Sequence, residues 1–267
     1  MRGACRLPLN DLRQEQILEI LEENREVQVA RLAEQLQVSE MTIRRDLKLL
    51  EQRGRLKRVY GGAVATASYA FTPVESRASV NAAEKERIAE LAETLVASDM
   101  RVYVDGGSTT LSLARRLAHG AAAHYTTSSI AVAQTIAAGG ISEVTLLGGT
   151  LRRNAGTLIG PECLEMLERR SFDIVFAGIA AIHPRHGFLD PTEWHAYQAR
   201  VLRQHSRQVV VLADHSKFDA DSDIRSYDYA DVDMLVTDRR PPERYEDNLS
   251  AAGVRLRWPG QNESSQA

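Results

Sequence analysis

The chain has 267 residues, 43% hydrophobic and 26% charged, with 17 Gly, 8 Pro and a net charge of −3. At roughly 100–200 residues per domain this length suggests two units, and so ordinary a composition excludes collagen-like and largely disordered classes. Apolar runs such as Ile130–Ala138 and Phe176–Ile182 fall well short of the roughly 20 residues a membrane-spanning helix needs. Residues 1–10 do not read as a signal peptide, since Arg2–Arg6 are followed by only Leu7, Pro8 and Leu9 before polar residues resume, so a cytoplasmic protein with no membrane partner is expected. Cys5 and Cys163 stand far apart without ligand spacing, which predicts free thiols and neither a disulfide nor a zinc site.

Charge is unevenly spread. Residues 1–67 carry a balance of +2 and the remainder −5, and within Met41–Tyr60 seven bases face only Asp46 and Glu51. A compact basic face on an acidic chain suits one small module that meets a polyanion, or else a solvated helix face balanced elsewhere.

In chain order, Leu12–Asn24 repeats apolar residues close to helical spacing, a short extended turn runs through Val27–Val29, and Ala30–Leu36 forms a second helix. Ser39 stands where an N-cap belongs, and a third helix over Glu40–Arg53 buries Ile43, Leu47 and Leu50 before Gly54 ends it. Arg55–Tyr60 and Ala63–Ala65 flank Gly61-Gly62, the sign of a two-residue hairpin. Helix, helix, turn, helix and hairpin is the order of a winged helix-turn-helix, placed over residues 10–67. The third helix would enter the major groove of duplex DNA with Ser39, Met41, Thr42, Arg44 and Arg45 toward the bases, while Lys48, Lys57 and Arg58 meet phosphates.

The run Val38-Ser39-Glu40-Met41-Thr42-Ile43-Arg44-Arg45-Asp46-Leu47, followed by Leu50-Glu51, Gly54, Leu56 and Arg58-Val59-Tyr60-Gly61-Gly62-Ala63, closely resembles the DNA-binding signature of the DeoR/GlpR family of bacterial repressors.

Residues 68–83, with Pro73 and little periodicity, read as a linker. An α/β domain over residues 84–257 follows. A helix at Glu84–Ala97 precedes the strand Arg101–Val104, and Asp105-Gly106-Gly107-Ser108-Thr109-Thr110 opens a helix running to Ala118. Further strands at Ala123–Tyr125, Val144–Leu147, Ile174–Ala177, Val209–Leu212 and Met234–Val236 end in polar turns, with helices at Ser129–Ala138, Pro161–Arg169 and Thr192–Ser206 between most of them. Such alternation predicts a mostly parallel sheet with ligands at the strand carboxyl ends. Residues 258–267 read as a frayed tail.

The strand, the glycine pair, the hydroxyls and the helix start over residues 101–110 are a recipe for a phosphate cradle, or otherwise a tight connection. Thr126-Thr127-Ser128, Gly148-Gly149 and the Asp214–Lys217 turn belong to the same predicted rim, whereas Arg152 and Arg153 either clamp an anion or face solvent. His183, His186 and His195 lack metal-ligand spacing and read as ordinary loop histidines; Trp194 and Tyr197 either line a pocket or pack.

Residues from about 84 to 240 resemble the DeoR-family effector-sensing domain, which is similar in fold to ribose-5-phosphate isomerase. The resemblance implies a phosphorylated-sugar effector at Asp105, Gly107, Ser108, Thr109, Thr110, Thr126, Ser128, Gly148, Gly149, Glu193, Asp214 and Lys217, with Gly160 also on the pattern; the reading of the residues adds Gly106 and Arg152 to the candidate effector site, and no cofactor or metal is expected. Three positions depart from the family pattern: Thr127 replaces an Asn, Ala180 replaces an Asp, and the phosphate loop carries an additional glycine.

The expected function is a repressor of carbohydrate genes, a homodimer or homotetramer on a two-fold operator, whose affinity a phosphorylated sugar changes. A sugar-phosphate isomerase with a DNA-binding appendage is the alternative, weakened because Ala177-Gly178-Ile179-Ala180 supplies no acid. A DNA-binding architectural protein with a vestigial pocket is a third reading.

Overall fold

The computed structural model describes residues 9–24, 26–52, 56–65, 74–141, 143–152 and 155–260. The chain divides into two compact units, Met1–Phe71 and Thr72–Ala267.

The first unit runs α1 (Leu9–Asn24), β1 (Glu26–Gln28), α2 (Val29–Gln35), α3 (Glu40–Gln52), β2 (Leu56–Val59) and β3 (Gly62–Ala65). Its core is what the spacing predicts: Ile17, Leu18 and Leu21 from α1, Leu32 from α2, and Ile43, Leu47 and Leu50 from α3, closed by Val27, Leu56 and Ala63 from the strands. The Ser39 hydroxyl accepts the Thr42 N–H at 3.2 Å, the expected N-cap, worth about 1 kcal/mol. Gly54 lies outside the described residues.

The wing corrects one expectation. Val59 pairs with Gly62, so the hairpin turn is Tyr60-Gly61 rather than Gly61-Gly62. Gly61 takes the left-handed φ of 79°, whereas Gly62 lies on β3 beside β1, where an added Cβ would fall 1.9 Å from the Val27 carbonyl oxygen. The two adjacent glycines thus serve different needs: one the turn, the other the close approach of two strands.

The second unit begins with α4 (Val74–Ala78) and α5 (Ala82–Glu93), so a short helix occupies part of the stretch read as a linker. Its weak periodicity reflects its length of five residues, with only Val74 of its described side chains deeply buried. Then come β4 (Arg101–Val104), α6 (Ser108–Leu117), β5 (His124–Thr127), α7 (Ile130–Ala138), β6 (Val144–Leu146), β7 (Thr150–Arg152), β8 (Thr157–Ile159) and α8 (Pro161–Glu168). After these lie β9 (Ile174–Gly178), β10 (Ala181–His183), β11 (Gly187–Asp190), α9 (Glu193–Gln204), β12 (Val209–Leu212), β13 (Ile224–Tyr227), β14 (Met234–Val236), α10 (Glu243–Ala251) and β15 (Arg255–Arg257).

Seven strands form one parallel sheet in the order β15-β14-β12-β9-β4-β5-β6. From β4 the chain builds outward through β5 and β6, then returns to place β9 on the other side of β4. The carboxyl ends of β4 and β9 are therefore a topological switch point, where flanking loops diverge and leave a crevice. The central strands are apolar because helices cover them: Val102, Val104, Ile174, Phe176, Val210 and Leu212 pack with Ile88, Leu113, Leu117, Val132 and Ile136. A small antiparallel sheet, β10-β11-β13, and the β7-β8 hairpin stand apart from it. Thr126 and Thr127 extend β5 instead of opening the turn; both are buried, and branching at Cβ suits them to a strand. No helix of the described residues is long and apolar enough to cross a membrane.

Candidate functional site

On the first unit, α3 turns Ile43, Leu47 and Leu50 inward, which leaves Met41, Arg44, Arg45 and Lys48 exposed. With Thr42 and Arg58 they border one surface groove. Arg44 is paired with Glu40 one turn earlier, at 3.0 Å, and the Thr42 hydroxyl lies 2.9 Å from that of Ser39. Arg58, on β2, donates its backbone N–H to Glu51 Oε1 at 2.8 Å, which ties the wing to α3. Lys57 is on the same strand, with its side chain outside the described residues.

Asp46 behaves unlike its neighbours. Although it interrupts the basic run in sequence, its side chain is buried, where Arg13 Nε donates to it at 2.6 Å and Gln14 Nε2 at 3.2 Å. An acid on this helix therefore pins α1 to α3 and keeps its charge off the exposed basic face. Sequence spacing missed this role, although Asp46 is three residues from Ile43 and so shares its helix face.

On the second unit, the switch-point crevice is framed by the predicted loop. Asp105 follows β4 and accepts the Gly106 N–H at 2.7 Å and the Gly178 N–H at 3.2 Å, so it bridges the ends of β4 and β9. Desolvation pushes its carboxyl up from the ordinary range, against the pull of those two N–H groups and the positive charge of Arg77. Gly107 is the N-cap of α6, and the Thr110 hydroxyl receives its N–H at 2.7 Å and donates back to its carbonyl at 3.0 Å. Ser108, Thr109 and Thr110 are buried in the first turn of α6, a helix start whose N–H groups and dipole suit an anion.

The remaining predicted residues divide. Ser128 is buried against the Tyr103 hydroxyl at 3.2 Å, and Thr126 lies beside it on β5. Asp214 follows β12 and accepts from Ser216 and from Asn81, with Lys217 buried in the same turn. Arg152 is buried, with Nη1 3.4 Å from the Thr192 hydroxyl at the N-cap of α9, the helix that Glu193 opens. Gly148 and Gly149 are used otherwise: the Gly148 N–H points to Met166 Sδ, and Gly149, at φ 125°, leaves no room for a Cβ beside the Ile159 carbonyl. Arg153 lies outside the described residues. His183 and His186 stack on each other, His195 bonds Thr192, and Trp194 packs in the interior.

Each departure from the family pattern has a structural account. The additional glycine, Gly106, sits where a Cβ would meet Thr157 Cγ2 at 2.3 Å, so β8 presses on the loop. Thr127, the last residue of β5, is fully buried and its hydroxyl accepts the Ser129 N–H at 3.0 Å, bracing the turn that follows the strand. Beside Ala180 stands an acid from another strand: Asp190, at the end of β11, accepts the Ala180 N–H at 3.1 Å and the Ser226 hydroxyl at 2.7 Å. Asp190, Asp105, Gly178, His195 and Gln198 line one small cavity. Sequence reasoning missed Asp190 because the contact that places it, between β10 and β11, is made by a hairpin of three- and four-residue strands.

A winged helix-turn-helix with a basic exposed helix, followed by an α/β unit with a polar crevice at its switch point, defines a DNA-binding transcriptional regulator with a ligand-sensing domain. Residues 13–68 match the DeoR-like helix-turn-helix domain, and residues 80–239 match the DeoR C terminal sensor domain. The chain belongs to the DeoR family.

Among its relatives, the putative aga operon transcriptional repressor of Escherichia coli O157:H7 is 31% identical over 95% of this chain and 96% of that one. The HTH-type transcriptional regulator GlpR of Haloferax volcanii is 31% identical over 91% and 95%. The glycerol-3-phosphate regulon repressor of Escherichia coli K12 is 29% identical over 85% and 90%. A solved ribose 5-phosphate isomerase A from Methanocaldococcus jannaschii is 18% identical with a TM-score of 0.38, covering 52% of this chain and 55% of that one.

Proposed function

We propose that this chain represses carbohydrate-metabolism genes and that a phosphorylated sugar, bound in the crevice of the second unit, changes its affinity for the operator. The observation that carries the reading is the first turn of α6, where Gly106, Gly107 and three buried hydroxyl residues meet the ends of β4 and β9. Backbone N–H groups in the first turn of a helix are donors that suit a phosphoryl group. Lys217, Arg152 and Asp214 stand on neighbouring strand ends and turns, with Asp190 in place of the acid absent at position 180. Relatives named as repressors of the aga operon and the glycerol-3-phosphate regulon support a sugar-related role.

On the DNA side, Arg45 is the base-reading residue of choice: Arg44 is held by Glu40, and Ser39 is engaged as a cap. Lys48, Lys57 and Arg58 meet phosphates, and Met41 offers an apolar contact to a thymine methyl. The protein acts as a homodimer or homotetramer in the cytoplasm, and it binds its effector without turnover.

The test is fluorescence anisotropy with the protein's own upstream DNA at fixed salt, alone and with glycerol 3-phosphate, ribose 5-phosphate, fructose 6-phosphate and their unphosphorylated parents. Specific binding altered by a phosphorylated compound and not by its parent is the expected result. Specific binding indifferent to every compound removes the sugar-phosphate reading and leaves the DNA-binding one.

A further inference from the structure

The stretch that precedes the sensor sheet is closed on itself by a buried lysine and tied to the elements of the crevice by Asn81 and by the packing of α4. Lys85, a buried lysine on α5, donates its ammonium to the Arg77 carbonyl at 2.6 Å and to the Val80 carbonyl at 2.5 Å, so it closes the carboxyl end of α4 with a cation. Asn81, in the left-handed conformation with φ 52°, donates its side-chain amide to Asp214 at 3.2 Å, across to the turn after β12. α4 itself packs on α6, the helix whose first turn is the phosphate-type loop. The positive charge of Arg77 also acts on the Asp105 carboxyl.

An anion that enters the loop at Gly106–Thr110 would lie beside Asp105, with Asp214 also on the rim. Like charges brought together in a partly desolvated crevice repel unless a cation is shared between them. Lys217 is buried in the Asp214 turn; toward Asp105 the charge of Arg77, on the helix that packs on α6, is felt, and a guanidinium can grip a phosphoryl group with bidentate geometry. We propose that α4 and the turn after it are the effector-responsive segment of the sensor, with Arg77 as an additional ligand of the bound anion and Asn81 as the residue that positions the turn on Asp214. This inference rests on the crevice being an anion site. It adds that residues 74–81, where the chain enters the sensor from the DNA-binding unit, rearrange when that site fills.

Hydrogen–deuterium exchange on the full chain, with and without saturating inorganic phosphate, reads both halves of the claim. The expected result is a phosphate-dependent change at residues 106–110 and also at 74–81. In Arg77→Gln the change at 74–81 is lost and more phosphate is needed for the change at 106–110, because a ligand of the anion is gone; in Asn81→Gly, which keeps the left-handed backbone, the change at 74–81 is lost while that at 106–110 remains. A wild-type response confined to 106–110 overturns the proposal and leaves the anion site standing, whereas no response at either segment overturns both. Variants that retain the full response at 74–81 remove Arg77 and Asn81 from it.

Discussion

Arg45 and Asp190 lie at opposite extremes of solvation, and each yields a test. Arg45 is exposed on α3 and borders the same groove as Arg44, Lys48 and Arg58. Arg45→Ala is expected to weaken specific operator binding by about 1–3 kcal/mol at fixed salt and to relax preference at one base pair, measured by competition with single-base operator variants. Asp190 is buried, and desolvation, reinforced by the negative charge of Asp105, pushes its carboxyl up to about 8 despite the Ser226 and Ala180 donors and the charge of Lys217. The native protein then holds a proton that the unfolded chain releases near the ordinary carboxylate value, so stability falls as pH rises between those two values. Thermal unfolding across pH 5 to 8.5 should show that decline, and Asp190→Asn should flatten much of it, with a remainder from Asp105, which shifts in the same direction. Ser39 as a cap could be read from local sequence, because a cap bonds within three residues. Asp190 could not, since Ala180 and Ser226 reach it through strand pairings distant in sequence.

At the scale of elements, the wing and the α1–α3 tie determine whether the recognition surface is held in shape. Gly62→Ala brings a methyl against the Val27 carbonyl, a backbone atom that cannot rotate away, so β1 and β3 must separate. Calorimetry should show a large loss of stability in the first unit. Gly61→Ala meets no atom within 4 Å and bears only the penalty of its left-handed φ, about 1 kcal/mol. Arg13→Ala leaves the Asp46 carboxylate buried without its cation, for a loss of about 3 kcal/mol and weaker operator binding as α3 loses its brace. Helix periodicity made α1, α2 and α3 legible, whereas the turn register was off by one residue because two adjacent glycines cannot be told apart without the strand that crowds one of them. The β7-β8 hairpin and the β10-β11-β13 sheet were not legible, since strands of three or four residues carry too little alternation to distinguish from loops.

For the whole molecule, each unit has its own core, and among the described residues the apolar clusters of the two share none. Two transitions are therefore expected in scanning calorimetry. Operator duplex should raise the one belonging to residues 1–71, and inorganic phosphate the one belonging to residues 72–267, each by mass action on the folded form it binds. A single transition that both ligands raise equally would show that the units unfold together. The parallel sheet was readable because apolar strands repeatedly ended in polar turns, yet its strand order was not, as pairing across a parallel sheet depends on neighbours far away in the chain.

That order has a consequence for how the protein is made. The winged unit closes through contacts among residues 9–65, while the crevice cannot exist until Ile174–Gly178 has left the ribosome and inserted beside Arg101–Val104. Local contacts form early and long-range parallel pairings late. A growing chain thus acquires its grip on DNA well before its means of answering to a metabolite.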